Sequence, residues 1–194
     1  MKKASLEELR TMLCETISSP TKSGEKEAFI QEYILLPLFN KIGTQTDIFY
    51  FAHQKQSLSI LVNEPIKSSL AQQYLDLFEN DSSDYWFFTS EGIVFFNIIT
   101  FLQTGAITRY LYTELEYICL GRYFAPLKIT ANNNPAIGIF SYKQTYSWAM
   151  ISEKDLQQLS KILDHYEPAH KILHFLTDSG LLGFVKQWQK GRVS

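Results

Sequence analysis

The chain has little of what staples, anchors or catalyses by a recognisable motif. Its 194 residues include two cysteines, Cys14 and Cys119, far apart in sequence. That spacing excludes a disulfide framework and a CxxC metal site. Reduced, buried thiols in a cytosolic compartment are the expected state. Long apolar runs are also missing, and the stretch Ile93 to Gln103 is too short to span a bilayer. The opening MKKASLEELR passes from two lysines into charged helix with no apolar segment, so no secretion signal is read there. The glycines form no phosphate-cradling loop of either common spacing, and no Gly-x-Ser-x-Gly elbow is present. Positive charge is not in excess. With 18 Lys and Arg against 20 Asp and Glu, the net charge is −2, which gives no support for a general polyanion binder.

Aromatic residues are abundant, at 14% of the chain. Residues 85–151 hold 16 of the 28 aromatics but only 7 of the 38 charged side chains, which predicts a sheet-rich middle wrapped by charged amphipathic helices. The densest part is DYWFFTSEGIVFFNIITFL, residues 84–102. Residues 84–88 and 93–99 suit a pleated, packed surface. Thr89-Ser90-Glu91-Gly92 reads as a tight turn in which Gly92 supplies a positive φ. Both blocks are continuously apolar, the pattern of central strands covered on two faces.

Ser5-Leu6-Glu7-Glu8 is a capping box, followed by Leu6, Leu9, Leu13 and Ile17 on one helical face. A second helix is expected from about Gly24 to Lys41, kinked or broken by Pro37, which has no N–H and crowds the Tyr33 carbonyl. Short strands are read at 46–50 and 58–62, with a helix at 66–78. Ile107, Leu111, Leu115 and Ile118 form a further helical stripe closed by Gly121. Then come a strand from Tyr123, a loop at Asn132-Asn133-Asn134-Pro135, and a hairpin of 137–142 with 146–151. Ser152 to Asp155 starts a helix with Leu156, Leu159, Leu163 and Tyr166 on its inner face. Pro168 opens another that runs to Gly180, and 181–189 is a last short helix.

The expected fold class is α+β, a single domain over 1–194. It has a mainly antiparallel or mixed central sheet with helices from both termini packed on it. Its parts are a helical 4–43, a sheet-rich aromatic 46–151 and a helical 152–190.

Three groups of residues are candidate sites. His170, His174 and Asp178 recur every four residues, which on one helix would stack them as metal ligands. Solvated surface is the alternative state of that row. Tyr110, Tyr112, Tyr142, Tyr146 and Trp148 lie in a segment of low charge, and such side chains suit interface cores. The edge of the protein's own core is the competing reading. Asp47 with Glu64-Pro65-Ile66-Lys67 is a degenerate form of a nuclease triad in which Asp, Glu and Lys hold a metal that activates water.

Around that triad, EAFIQEYILLPLFNKIG, two strands, a helix and DYWFFTSEG loosely resemble the N-terminal region of type I restriction R subunits over about half of the chain. The resemblance implies a diverged or inactive PD-(D/E)XK nuclease relative acting on DNA through Asp47, Glu64 and Lys67. The chain departs from that pattern where Glu-x-x-Lys on a strand would put its two ends on opposite faces. The function read first is a non-catalytic cytoplasmic protein-binding module of inhibitor or immunity, adaptor or chaperone type acting through the aromatic surface. Its expected partner is another protein or a second copy of itself, with no cofactor and no membrane, and nucleic acid is the less expected partner that the nuclease-like alternative keeps open.

Overall fold

The computed structural model describes residues 4–16, 23–43, 46–56, 82–123, 134–176 and 180–191. The fold class is α+β. The chain divides into two compact units, Met1–Arg109 and Tyr110–Ser194. Among the described residues the strands form two four-stranded sheets, ordered β1-β2-β3-β4 and β7-β6-β5-β8.

The first unit opens with α1 (Leu6–Thr16), where the Ser5 N–H donates to Glu8 Oε2 at 2.7 Å and the Glu8 N–H to Ser5 Oγ at 3.1 Å. This is the reciprocal cap expected from the sequence. Next comes a helical segment from Ser23 to Ile42. It is α-helical in α2 (Ser23–Phe29), π-helical over Ile30–Leu35 and α-helical again in α3 (Leu36–Ile42). Pro37 therefore neither stops nor splits it. The Leu36 N–H bonds to the Gln31 carbonyl five residues back, and Pro37 falls in the first turn of α3, where a missing N–H is tolerated.

Strands β1 (Ile48–Gln56), β2 (Ser82–Thr89) and β3 (Gly92–Asn97) pair antiparallel in sequence order. Tyr85, Phe87, Val94 and Phe96 point to the helices and share a core with Leu9, Leu13, Ile34, Leu38 and Phe101. Trp86 and Phe88, on the opposite face, are also buried, so both faces of β2 are covered as its continuous apolar run predicts. The buried Tyr85 keeps its hydroxyl satisfied by Thr16 Oγ1 at 2.9 Å.

The turn between β2 and β3 works differently from the expectation. Gly92 is not among the glycines with positive φ. Instead Thr89 Oγ1 accepts from the Glu91 and Gly92 N–H groups and donates to the Gly92 carbonyl. A threonine hydroxyl thus holds the turn that a left-handed glycine was expected to make. Asn97 caps α4 (Ile98–Thr104) with its side chain, which ends the strand two residues earlier than expected.

The Ile107–Ile118 stripe is not a helix. Residues 108–111 form β4 (Thr108–Leu111), and a single 3-10 turn leads into β5 (Leu115–Tyr123). The segment is dense in Tyr, Thr and Ile, whose preference for the sheet overrides the four-residue spacing. Gly121 lies inside β5, not at a helix end.

In the second unit, β5 pairs antiparallel with β6 (Asn134–Ser141), and β6 with β7 (Tyr146–Met150). The predicted 137–151 hairpin is present, although Asn134 and Pro135 already belong to β6. Helix α5 (Glu153–His165) starts on a Ser152–Asp155 capping box and buries Leu159 and Leu163. After the single turn α6 (Glu167–His170), the chain forms β8 (Leu173–Leu176), parallel to β5, where a continuing helix was expected. Helix α7 (Gly180–Gln189) packs Leu181, Phe184 and Val185 over Cys119, Ala136 and Phe140. The expected strand at 58–62 and helix at 66–78 lie outside the described residues.

Candidate functional site

A cavity of about 330 Å³ opens in the first unit, lined by Ala4, Leu6, Leu9, Leu36, Phe39, Thr46 and Ile48. Three local features build it. The Ala4 N–H donates to the Ile48 carbonyl at 2.7 Å and ties the entry of α1 to the start of β1. Leu6 and Leu9, three apart on α1, face one side. Leu36 and Phe39, three apart on α3, face the other, one step round from the buried Leu35 and Leu38.

Leu9 and Ile48 form a buried floor, and the rim is apolar too: Leu6 is 47% exposed and Leu36 51%. The one polar liner, Thr46, donates its hydroxyl to the Ile42 carbonyl at 2.8 Å. The walls therefore offer apolar contact and no uncommitted hydroxyl proton. Cavities near this volume with apolar walls are the usual form of small-ligand sites. The sequence put Leu6 on the inner stripe with Leu9, and nothing in its spacing marked Leu36 as the opposite wall.

The expected metal row is not assembled. His170 ends α6 with Nδ1 at 3.3 Å from Asp164 Oδ1, while His174 lies on β8 against the Tyr117 ring at 4.7 Å. A helix that ends and a strand that begins between them remove the four-residue stacking on which the row depended. Asp178 lies outside the described residues, and no group of three potential ligands occurs among the described residues. Glu64 and Lys67 likewise lie outside them. Asp47 precedes β1 where the nuclease pattern needs an Asp ending a strand, and its N–H donates to Ser90 Oγ at 3.2 Å.

The aromatic residues divide. Tyr110 and Tyr112 are buried, with Tyr110 Oη 2.5 Å from Ser147 Oγ and Tyr112 edge-on to Tyr166. Burial pushes the Tyr112 phenol far above its ordinary value. Tyr142 is exposed at the tip of the β6–β7 hairpin. Tyr146 stacks on Phe140 at 5.8 Å, and Trp148 lies parallel to Tyr123 at 4.7 Å. These five side chains are not one surface: two are core, two are the half-covered rim of a cluster under α7, and one is a turn tip.

Neither thiol is set up as a nucleophile. Cys119 is buried among Ala136, Phe140 and Leu181, and burial pushes its thiol far up. Burial also raises the Cys14 thiol, against the pull of Lys26 and Arg10. A disulfide reagent at pH 8 is expected to label Cys14 alone and slowly, with Cys119 reacting only after unfolding. Two fast thiols in the folded protein would contradict this.

No protein-family model matches the chain, and no curated protein is similar to it. Among solved structures it is similar to the hSac2 domain from human phosphoinositide phosphatase Sac2. The identity is 12% and the TM-score 0.45, over 82% of this chain and 92% of that one. No residue role is carried over from it. The expectation of a non-catalytic protein-binding module with an aromatic surface, and its nuclease-like alternative, are corrected here. The likeness is to a phosphatase domain and to neither of those classes. Among the described residues, no helix is long and apolar enough to cross a membrane.

Proposed function

We propose that the first unit binds a small, neutral ligand carrying an unbranched alkyl chain, held between α1, α3 and the start of β1. The observation that carries this reading is the 330 Å³ cavity with six apolar liners and a committed threonine hydroxyl. A charged or strongly hydrogen-bonding group placed there would lose its water without replacement. A methylene chain loses nothing polar and gains about 0.8 kcal/mol per buried CH₂. If a methylene fills about the volume of one water, the cavity holds a chain of about ten carbons. A reducing, cytoplasmic setting fits the two separate free thiols.

The test is calorimetric titration with the 1-alkanols from hexanol to dodecanol. Affinity is expected to rise roughly fourfold per methylene and to level off near ten carbons, with a negative heat-capacity change. Ala4→Phe, which fills the cavity and keeps the backbone bond to Ile48, is expected to abolish binding. Phe175→Ser, at an exposed position on β8, is expected to leave it unchanged. Absence of saturable binding, or unchanged binding in Ala4→Phe, would refute the proposal.

A further inference from the structure

Strand β7 ends its sheet, and its hydrogen-bonding phase can be read from its register. The Ser141 N–H donates to the Thr145 carbonyl and the Ile151 N–H to the Pro135 carbonyl, both at 2.9 Å. In an antiparallel pair, bonded and non-bonded residues alternate. Thr145, Ser147, Ala149 and Ile151 therefore turn their backbone groups towards β6. Tyr146, Trp148 and Met150 turn their N–H and C=O groups away from the sheet. No strand pairs with that edge among the described residues.

Natural edge strands are usually guarded by a charged side chain, a proline, a bulge or a covering element. The β7 sequence YSWAM has no charge and no proline, and its pairing with β6 shows no bulge. Its side chains Tyr146 and Trp148 stay half exposed on the α7 face. We infer that β7 is the pairing edge for a second copy of this chain, joined antiparallel about a two-fold axis through Trp148.

The sequence of the edge is self-complementary about that point. Tyr146 of each copy falls opposite Met150 of the other, and Trp148 opposite Trp148. Each of these three pairs exchanges two backbone bonds, so all six outward-facing groups of each copy are used. On the α7 face the two Trp148 rings become neighbours, extending the Tyr123–Trp148 stack of each copy. On the other face, the residues brought opposite one another are the small Ser147 and Ala149, with Tyr110 Oη held 2.5 Å from Ser147 Oγ beneath each strand. Neither edge carries a charge, so two identical strands meet without repulsion. The opposite edge, β8, is a four-residue strand and includes His174, which makes it the poorer template.

Sedimentation equilibrium is expected to give a dimer for the full chain. Met150→Pro removes one outward N–H per copy and no backbone bond to β6, as proline allows on a sheet edge, losing besides only the Asn134 Nδ2 contact to Met150 Sδ. It is expected to weaken the dimer roughly tenfold while leaving the circular dichroism unchanged. Register is tested by oxidative cross-linking in a Cys14→Ser background. A hydrogen-bonded pair at the axis has Cα atoms about 5.5 Å apart, within disulfide reach. Trp148→Cys is therefore expected to cross-link two copies. Tyr146→Cys alone is not, since its counterpart lies roughly 13 Å along the strand, whereas Tyr146→Cys combined with Met150→Cys is. Three results would overturn the inference: a monomer at tens of micromolar; a dimer indifferent to Met150→Pro; or cross-linking by Tyr146→Cys alone.

Discussion

Phe87→Ala is expected to lower the unfolding free energy by about 3–5 kcal/mol, the usual cost of deleting a buried aromatic ring. Phe87 is fully buried on β2, edge-on to Phe96 at 5.5 Å and facing the helical layer of the first unit. Its site cannot collapse easily. Tyr85 and Phe96 beside it are themselves held, Tyr85 by its hydroxyl contact with Thr16 and by stacking on Phe96. The cost therefore includes a residual void as well as lost transfer energy. Phe175→Ala, an exposed position on β8, is expected to change stability by less than about 0.5 kcal/mol. Urea unfolding of the two variants separates a core role from a merely aromatic one. A cost below about 1 kcal/mol for Phe87→Ala would contradict the assignment of this strand as the centre of its core.

Gly121→Val is expected to destabilise by about 2–3 kcal/mol through overpacking. A Cβ at position 121 would stand 2.8 Å from both the Cβ and the carbonyl oxygen of Leu176. Part of the obstruction is backbone, so a rotamer change cannot relieve it. Either β8 withdraws from β5 or β5 itself bends. Gly24→Ala provides the contrast. Gly24 lies in α2 and a Cβ there meets nothing within 4 Å, so removing its backbone freedom is expected to stabilise by about 0.5–1 kcal/mol. Opposite signs for the two substitutions would show that close approach, not glycine content, decides the effect.

The same Gly121 shows where the sequence was legible and where it was not. Local chemistry was legible: the Ser5–Glu8 capping box, the helix start at Ser152, the β2–β3 and β6–β7 hairpins and the covered central strands followed from adjacent residues. Pairing between distant segments was not. A glycine after an apolar run reads as a helix stop, yet here it makes room for β8 more than fifty residues later. Leu173-His174-Phe175-Leu176 is apolar enough for a helix or a strand, and only the open edge of β5 makes it a strand. The metal row failed for that reason, because a four-residue spacing has meaning only on a helix. The cavity was hidden by the same gap between local and distant information. Leu6 and Leu36 look like ordinary members of helical stripes, and only the packing of α1 beside α3 brings them to one cavity. The aromatic surface was misread because a tyrosine count does not distinguish Tyr112, buried against Tyr166, from Tyr142 at a turn tip.

The most direct test of the central claim is a methyl-detected NMR titration of the full chain with 1-decanol. The account predicts saturable shifts at Leu6, Leu9, Leu36 and Ile48, with Ile118 and Leu163 in the second unit unmoved. Shifts confined to the second unit, or spread evenly without saturation, would contradict it.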